Sequence, residues 1–136
     1  MPFVLDASVA ATWLMPDEAD SRAETAFALL PEDGAVAPGL WWFEMRNIFL
    51  TNERRGRLDS SQTSKALALL GALPIALDHA ANDSALLALA REHRLTAYDA
   101  AYLELAQREN LALATLDEAL ARAARATGVP LVGDEG

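Results

Sequence analysis

Short apolar stretches alternate with helix-length segments along this chain, and no other sequence feature constrains its fold as strongly. The apolar stretches have the composition of buried strands and are bounded by turn residues; they are residues 3–6, 34–38, 74–77, 111–115 and 129–133. The longer segments carry apolar residues at helical spacing; they are residues 16–30, 39–58, 59–73, 78–94, 95–110 and 116–128. Strands that alternate with helices of crossover length predict an α/β fold with a parallel sheet between helices.

The composition predicts one globular domain over residues 1–136, with no linker, internal repeat or low-complexity tract. Apolar residues make up 52% of the chain, which is typical of a folded protein and not of a disordered one. There is no cysteine, so disulfides and thiolate metal sites are excluded. Because neither a signal peptide nor a membrane-spanning run is recognisable, we expect a cytoplasmic protein with no membrane partner.

The net charge of −9 argues against a protein that coats nucleic acid, because such proteins are basic. It is compatible with an enzyme that holds metal ions on carboxylates, or with a basic partner. The one local basic cluster is Arg54, Arg55 and Arg57 in ERRGR. It is either a solvated helix end, where cations meet the helix dipole favourably, or a contact for phosphate.

Two aspartates directly follow predicted strands. Asp6 comes after residues 3–5, and Asp117 comes just after residues 111–115. Sites in open parallel sheets form beyond the carboxyl ends of the strands, so both aspartates are candidates for chemistry. Each could instead only cap the helix that follows. Beside them, Ser8 and Thr115 are either ordinary first-turn and strand-end residues or supports for a ligand.

Two further acids face the apolar side of predicted helices. Asp99 heads the apolar stripe that continues at Tyr102, although Thr96 three residues earlier also makes a capping-box pattern. Glu44 lies inside a helix among apolar neighbours, so it caps nothing and faces the core or a cleft. Buried glutamate is rare unless it is paired or bound to a metal. Asn47, one turn on, could share this face and donate a hydrogen bond to Glu44.

The four acids together suggest a metal site. Carboxylates about 4 Å apart repel by roughly 4 kcal/mol per pair at an effective dielectric near 20, so a fold would not gather them for stability. Mg²⁺ reverses this balance, because it prefers oxygen ligands and takes one or two carboxylates directly while keeping several waters. The remaining acids would orient those waters. Such a site can activate a water and stabilise charge on a phosphodiester.

Five stretches occur in an order that resembles the PIN-domain family, and most of all its VapC toxins from prokaryotic toxin–antitoxin systems. They are FVLDASVAATWLMPDE, APGLWWFEMRNIFL, RRGRL, TAYDAAYLELA and LATLDEALARAA. The resemblance spans nearly the whole chain. It implies an α/β/α sandwich around a central parallel sheet and an endoribonuclease that depends on Mg²⁺, with Mn²⁺ able to substitute.

The resemblance also implies a role for each acid. Asp6 and Asp99 would be the metal ligands, Glu44 would assist them, and Asp117 would help to hold a second metal or the attacking water. Ser8 and Thr115 match the small hydroxyl positions that support the cluster. No histidine base is needed, and His79 and His93, on predicted helices, are more typical of structural histidines.

Partners follow from the resemblance as well. It implies a homodimer and a VapB-like antitoxin, whose tail could aim a basic residue at the acids. Trp41, Trp42 and Phe43 cannot all face inward on one helix, so one of them could sit in a partner interface. The sequence leaves open which RNA is cut, which antitoxin binds, and whether one or two metal ions are used.

The residues disfavour three alternatives to a nuclease. A receiver domain would have paired acids after the first strand and a lysine after a late strand, but Ala7 follows Asp6 and no late strand carries lysine. A haloacid-dehalogenase-type phosphatase would have a second aspartate where Ser8 stands. An inactive interaction module with the same fold is disfavoured by the presence of all four acids, and metal binding with RNA cleavage distinguishes it.

Overall fold

The computed structural model describes residues 1–134, so the last two residues of the predicted domain over 1–136 lie outside the described part. Strands and helices alternate as the sequence predicts. The elements are β1 (Phe3–Leu5), α1 (Ala7–Leu14), α2 (Ser21–Asp33), β2 (Ala35–Pro38), α3 (Leu40–Arg54), α4 (Ser60–Gly71), β3 (Ile75–Asp78), α5 (Asp83–His93), α6 (Ala97–Glu109), β4 (Leu113–Ala114) and α7 (Glu118–Ala126).

The four strands form one parallel sheet in the order β3-β2-β1-β4, which confirms the predicted parallel sheet. The central strand β1 is fully buried and pairs with β2 on one side and β4 on the other. Since all strands run the same way, the residues that follow β1 and β4 lie at one edge of the sheet. Asp6 and Asp117 are therefore brought to the same edge.

The helices flank the sheet in an α/β/α arrangement. α6 packs against β1, β2 and β4, and seven consecutive residues of its centre are buried, from Ala100 to Ala106. α1 packs against α2 and α3. Buried apolar side chains of β1, α3, α6 and α7 join into one core. Among residues 1–134, none of these helices has the length and hydropathy needed to cross a bilayer.

Several element ends differ from the prediction. α2 begins at Ser21 instead of residue 16, because Asp20 is the residue whose side chain accepts the capping hydrogen bond from Arg22 N–H. The helix then continues through Pro31, which the fold tolerates at an exposed position of its last turns. α5 begins at Asp83 because Asn82 caps it, so His79 lies in a loop and not on a helix.

The predicted last strand, residues 129–133, is the largest difference. Within the described residues it amounts to a single bridge between Leu131 and Leu113 of β4. β4 is itself only two residues long, so it offers little backbone for a neighbour to pair with. α3 ends at Arg54, before the end of the predicted segment 39–58, and Gly56 follows it with the positive φ of 74° that favours glycine.

Candidate active site

Asp6 lies at the carboxyl end of β1 and is buried, with 7% of its surface exposed. Its Oδ2 accepts hydrogen bonds from Ser8 Oγ at 2.9 Å and from Thr115 Oγ1 at 2.5 Å. In the described part of the chain its side chain does not cap α1, so the capping role left open by the sequence is not what the structure shows. Burial raises the pKa of Asp6, and the two hydroxyls oppose that effect only in part.

The same two hydroxyls connect the turns after β1 and β4. Thr115 Oγ1 accepts a hydrogen bond from the backbone N–H of Asp117 at 3.0 Å, and Ser8 Oγ accepts one from Leu116 N–H at 3.0 Å. Each hydroxyl thus donates to Asp6 and accepts from the β4–α7 turn. The side chain of Asp6 and the start of α7 are fixed relative to each other by this arrangement.

Asp117 and Asp99 each lie at a helix N-terminus. Asp117 is the N-cap of α7 and accepts a hydrogen bond from Leu120 N–H at 2.9 Å, so the capping role is real for this residue. Thr96 caps α6 by accepting from the backbone N–H of Asp99 at 3.1 Å. The carboxylate of Asp99 is half-buried, and burial, followed by the charges of Asp117 and Asp6, raises its pKa.

Glu44 projects from the first turns of α3 and is half-buried. Its Oε1 accepts a hydrogen bond from the phenol of Tyr102, a fully buried residue of α6. Burial raises the pKa of Glu44, the Tyr102 hydrogen bond lowers it, and the charges of Asp6 and Asp99 raise it further. The phenol of Tyr102 is in turn held protonated by burial and by the charge of Asp6.

The four acids lie close enough for their charges to act on one another. The charge of Asp6 acts on Glu44 and Asp99, and the charge of Asp117 acts on Asp6 and Asp99. Burial first, and neighbouring charges after it, disfavour ionisation of Asp6, Glu44 and Asp99, so this site is organised for something other than stability. We call Asp6, Glu44, Asp99 and Asp117 the carboxylate cluster.

The chemistry of the carboxylate cluster fits a hard divalent cation, although its side chains do not form a closed ligand shell. Within residues 1–134, no three acidic, histidine or cysteine side chains are grouped closely enough to hold one ion together. Mg²⁺ binds through one or two carboxylates and keeps several waters, so an open ring of oxygens suits it better than a cage. Asp6 Oδ1 and Glu44 Oε2 make no side-chain hydrogen bond in the same residues and remain available as ligands.

Other candidate residues lie apart from the carboxylate cluster. Asn47 is exposed, and no hydrogen bond joins it to Glu44 in the described chain. Arg54 and Arg55 are exposed at the far end of α3. Arg57 is already held by Asp17 at 2.9 Å and by the Asn52 side chain at 3.0 Å.

The aromatic run on α3 divides between core and surface. Trp41 is buried, whereas 43% of Trp42 and 69% of Phe43 are exposed. The two exposed rings meet edge to face, and the guanidinium of Arg46 stacks over Trp42 at 3.6 Å from the ring centre. Two aromatic residues, not one, are therefore available to a partner.

Sequence reasoning missed the role of Tyr102, which it treated only as part of the apolar stripe of α6. A tyrosine at a fully buried helix position is a usable signal, because a buried phenol requires a hydrogen-bond partner. The partner, Glu44, lies 58 residues away in the chain.

Comparison with known proteins agrees with this architecture. A family model described as the PIN domain matches residues 3–126. Ribonuclease VapC3 of Pyrobaculum aerophilum is 35% identical over 124 residues, covering 89% of this chain and 93% of that protein. The crystal structure of PAE2754 from Pyrobaculum aerophilum has a TM-score of 0.71 at 21% identity, covering 90% of this chain and 84% of that one.

A toxin–antitoxin complex from Klebsiella pneumoniae matches with a TM-score of 0.57 at 19% identity, over 85% of this chain and 86% of that one. At these identities the solved structures establish a shared fold. The family model adds a sequence match that runs from β1 to the end of α7 and includes all four residues of the carboxylate cluster. The resemblance noted in the sequence is thereby confirmed: this chain belongs to the PIN domain family.

Proposed function

We propose that this protein is a metal-dependent endoribonuclease, which hydrolyses RNA phosphodiesters with Mg²⁺ or Mn²⁺ and acts as the toxin of a VapBC-type pair. One observation carries the proposal: the fold brings together Asp6 after β1, Glu44 on α3, Asp99 in the first turn of α6 and Asp117 at the start of α7, and holds Asp6 and Glu44 by hydrogen bonds from Thr115 and Tyr102. The similarity to a protein named Ribonuclease VapC3 supports the choice of RNA as substrate.

The metal would be held by Asp6 and Asp99, with Glu44 and Asp117 bound directly or through water. When bound, it supplies a water of lowered pKa and a positive charge that stabilises the transition state of phosphodiester hydrolysis. Ser8 and Thr115 hold Asp6 Oδ2 and so orient its other oxygen. Tyr102 does the same for Glu44. Asp117, fixed as a helix cap, would orient the attacking water through its second oxygen.

The partner assignments extend this proposal. An antitoxin with a basic residue that enters the carboxylate cluster would neutralise charges that otherwise repel one another, and it would suit a chain of net charge −9. The fold shared with a chain of a toxin–antitoxin complex supports a partner of this class. A homodimer and a cytoplasmic location belong to the same proposal, with exposed Trp42 and Phe43 as candidate contact residues.

The first test is thermal unfolding with and without Mn²⁺ and Mg²⁺, in the wild type, Asp99→Asn and the control Asp83→Asn. Metal should raise the wild-type midpoint by mass action. Asp99→Asn should be at least as stable as the wild type without metal, because one repelling charge is gone, and should respond less to metal. Asp83 is exposed in the first turn of α5, so its variant should respond like the wild type.

RNA cleavage is then measured in the same three proteins. Metal-dependent cleavage that is lost in Asp99→Asn and kept in Asp83→Asn supports the ribonuclease. Metal stabilisation without cleavage of any RNA would instead support an inactive interaction module. If metal has no effect and Asp99→Asn simply destabilises the fold, the aspartate is a structural residue and the nuclease proposal fails.

A further inference from the structure

A surface cleft that carries two arginines lies partly on α7, the helix that Asp117 caps. A cleft of about 380 Å³ opens between the end of α5 and one face of α7. It is lined by His93 and Arg94, by Arg122 of α7, and by the small side chains that surround Arg122. We call it the cationic cleft, defined by the lining residues Glu92, His93, Arg94, Ala119, Arg122, Ala123 and Ala126.

The cationic groups of this cleft have no acidic partner that satisfies them. Other arginines, such as Arg22, Arg57 and Arg108, are held by carboxylates at about 3 Å. Arg94 and Arg122 form no ion pair or side-chain hydrogen bond within residues 1–134, and both are exposed. Nε2 of His93 is buried without a hydrogen-bond partner in the same residues. Two unpaired guanidiniums, with the unsatisfied nitrogen of His93 on the residue before Arg94, suit an anion.

One carboxylate of the cleft opposes this role. Glu92 Oε2 lies 3.9 Å from His93 Nε2, beyond hydrogen-bond distance, and 72% of the Glu92 side chain is exposed. An exposed glutamate on the last turns of a helix can rotate away from a ligand at little cost. Glu92 should therefore weaken anion binding without blocking it. Removing its charge should strengthen binding, whereas removing an arginine of the cleft should weaken it.

The position of the cationic cleft connects it to the carboxylate cluster. Ala119, in the cleft lining, is two residues beyond Asp117, and Arg122 is five residues beyond it, about 7–8 Å along α7. Arg94 is five residues before Asp99. By contrast, Arg54 is ten residues beyond Glu44, which places it about 15 Å away along α3.

We propose that the cationic cleft binds the phosphate backbone of single-stranded RNA next to the phosphodiester held at the carboxylate cluster. Arg94 and Arg122 would each contact backbone phosphate, and the strand would pass from the cluster along α7. This inference rests on the proposed ribonuclease function, because the cluster supplies the point at which the strand is anchored. It assigns substrate binding to residues that lie outside ERRGR.

The test measures binding of a short fluorescein-labelled single-stranded RNA of mixed sequence by fluorescence anisotropy, in metal-free buffer over a range of salt concentrations. All proteins carry Asp99→Asn, so that the RNA stays intact. Arg94 has φ of 54°, so Arg94→Asn is used because asparagine tolerates the left-handed region. Arg122→Gln keeps a good helix former on α7. Arg91→Gln, an exposed position of α5 outside the cleft, is the control of equal charge change.

Arg94→Asn and Arg122→Gln should each weaken binding several-fold and lower the slope of log K against log salt by about 0.7 per lost phosphate contact. Arg91→Gln should change both quantities much less. Glu92→Gln should tighten binding, a result that damage to the fold cannot produce. Agreement of all four variants with this pattern supports the cationic cleft as an RNA site.

Equal effects of Arg91→Gln and the cleft variants would overturn the proposal, because only overall charge would then matter. The proposal would also be overturned if the RNA binds none of the proteins, or if Arg54→Gln and Arg55→Gln weaken RNA binding and the cleft variants do not. Binding of an acidic peptide of equal charge through the cleft, without binding of RNA, would overturn it as well. Measuring RNA cleavage by the protein that keeps Asp99 distinguishes the ribonuclease proposal from the proposal of RNA binding in the cationic cleft. Loss of cleavage in Asp99→Asn with unaffected binding in the cleft variants leaves the ribonuclease standing and removes this inference.

Discussion

At the scale of single residues, the acids of the carboxylate cluster differ in how much structural work accompanies the chemical role proposed for them. Asp117 caps α7 with one oxygen, whereas the side chain of Asp6, at the N-cap position of α1, makes no capping hydrogen bond in the described residues and is held by two hydroxyls instead. Glu44 is held by a phenol. Substitutions that keep the hydrogen bond and remove the charge can therefore separate the two roles.

For Asp117, substitution by asparagine and by alanine separates the capping hydrogen bond from the negative charge. Asparagine caps helices as well as aspartate does, so Asp117→Asn should keep the stability of the fold and lose much of the response to Mn²⁺. Asp117→Ala loses the bond to Leu120 N–H and should cost about 1 kcal/mol of unfolding free energy. Urea unfolding with and without Mn²⁺ measures both effects. Equal loss of stability in the two variants would show that the charge itself stabilises α7.

For Glu44 the test is Tyr102→Phe. The phenol hydrogen bond lowers the pKa of Glu44, so its loss leaves burial and the charges of Asp6 and Asp99 to raise that pKa further. Mn²⁺ binding should therefore weaken most at mildly acidic pH and recover as the pH rises, since the metal needs the ionised carboxylate. Mn²⁺ titrations over a pH series measure this shift. Tyr98→Phe, at an exposed position of the same helix, is the control and should leave the pH profile unchanged.

At the scale of elements, the site depends on how the β1–α1 and β4–α7 turns are joined. Ser8 and Thr115 belong to different turns, and each donates to Asp6 and accepts from the backbone of the β4–α7 turn. β4 has only two residues, so its ladder with β1 alone is a weak constraint on where α7 begins. The hydroxyls supply the remaining constraint.

Thr115→Val tests how much the hydroxyl that joins the two turns contributes to the free energy of unfolding. Valine keeps the shape of threonine but removes one of the two hydrogen bonds to Asp6 Oδ2 and leaves the Asp117 N–H without its acceptor, at a cost of about 1–3 kcal/mol. Thr115→Ser keeps the hydroxyl and should lose less. Urea unfolding of both variants measures the difference. A larger loss in the serine variant would mean that packing of the methyl group, not hydrogen bonding, dominates at this position.

At the scale of the whole molecule, we expect the carboxylate cluster to link stability to pH and, under the proposed function, to metal. The pKa values of Asp6, Glu44 and Asp99 are raised, so the native state binds more protons than the unfolded chain between the ordinary carboxyl pKa near 4 and neutral pH. In that window the native state gains stability as the pH falls. Asp20 and Asp78 have lowered pKa values, held down by Arg22 and Arg108, and their stabilisation is lost only below the window.

The metal-free protein should therefore become more stable as the pH is lowered from about 7 to about 5, and then lose stability at lower pH. With saturating Mg²⁺ the trend between about 7 and about 5 should flatten or reverse, because the ion binds the deprotonated carboxylates. Chemical unfolding at several pH values, with chelator or with Mg²⁺, measures both curves. A metal-free protein that steadily loses stability from neutral pH downward would contradict the raised pKa values of Asp6, Glu44 and Asp99.

What the sequence determined by itself is the framework. The alternation of strands and helices is enough to predict a parallel sheet, and this topology places Asp6 and Asp117 at one edge because parallel strands end on the same side. Glu44 was recognisable because a charge among apolar neighbours on a helix must face a core or a cleft. These inferences need only local periodicity and the geometry of parallel strands.

The tertiary structure decided everything that depends on residues distant in the chain. The phenol of Tyr102 meets Glu44 across 58 positions and Thr115 meets Asp6 across 109, and no local pattern encodes how the helices rotate and pack to allow this. Asn47 is a further example. Helical spacing allowed it to lie beside Glu44, but in the folded protein it is exposed to solvent. Periodicity fixes which face of a helix is apolar, whereas a hydrogen bond between two elements requires their relative positions within a few tenths of an ångström, which only packing provides.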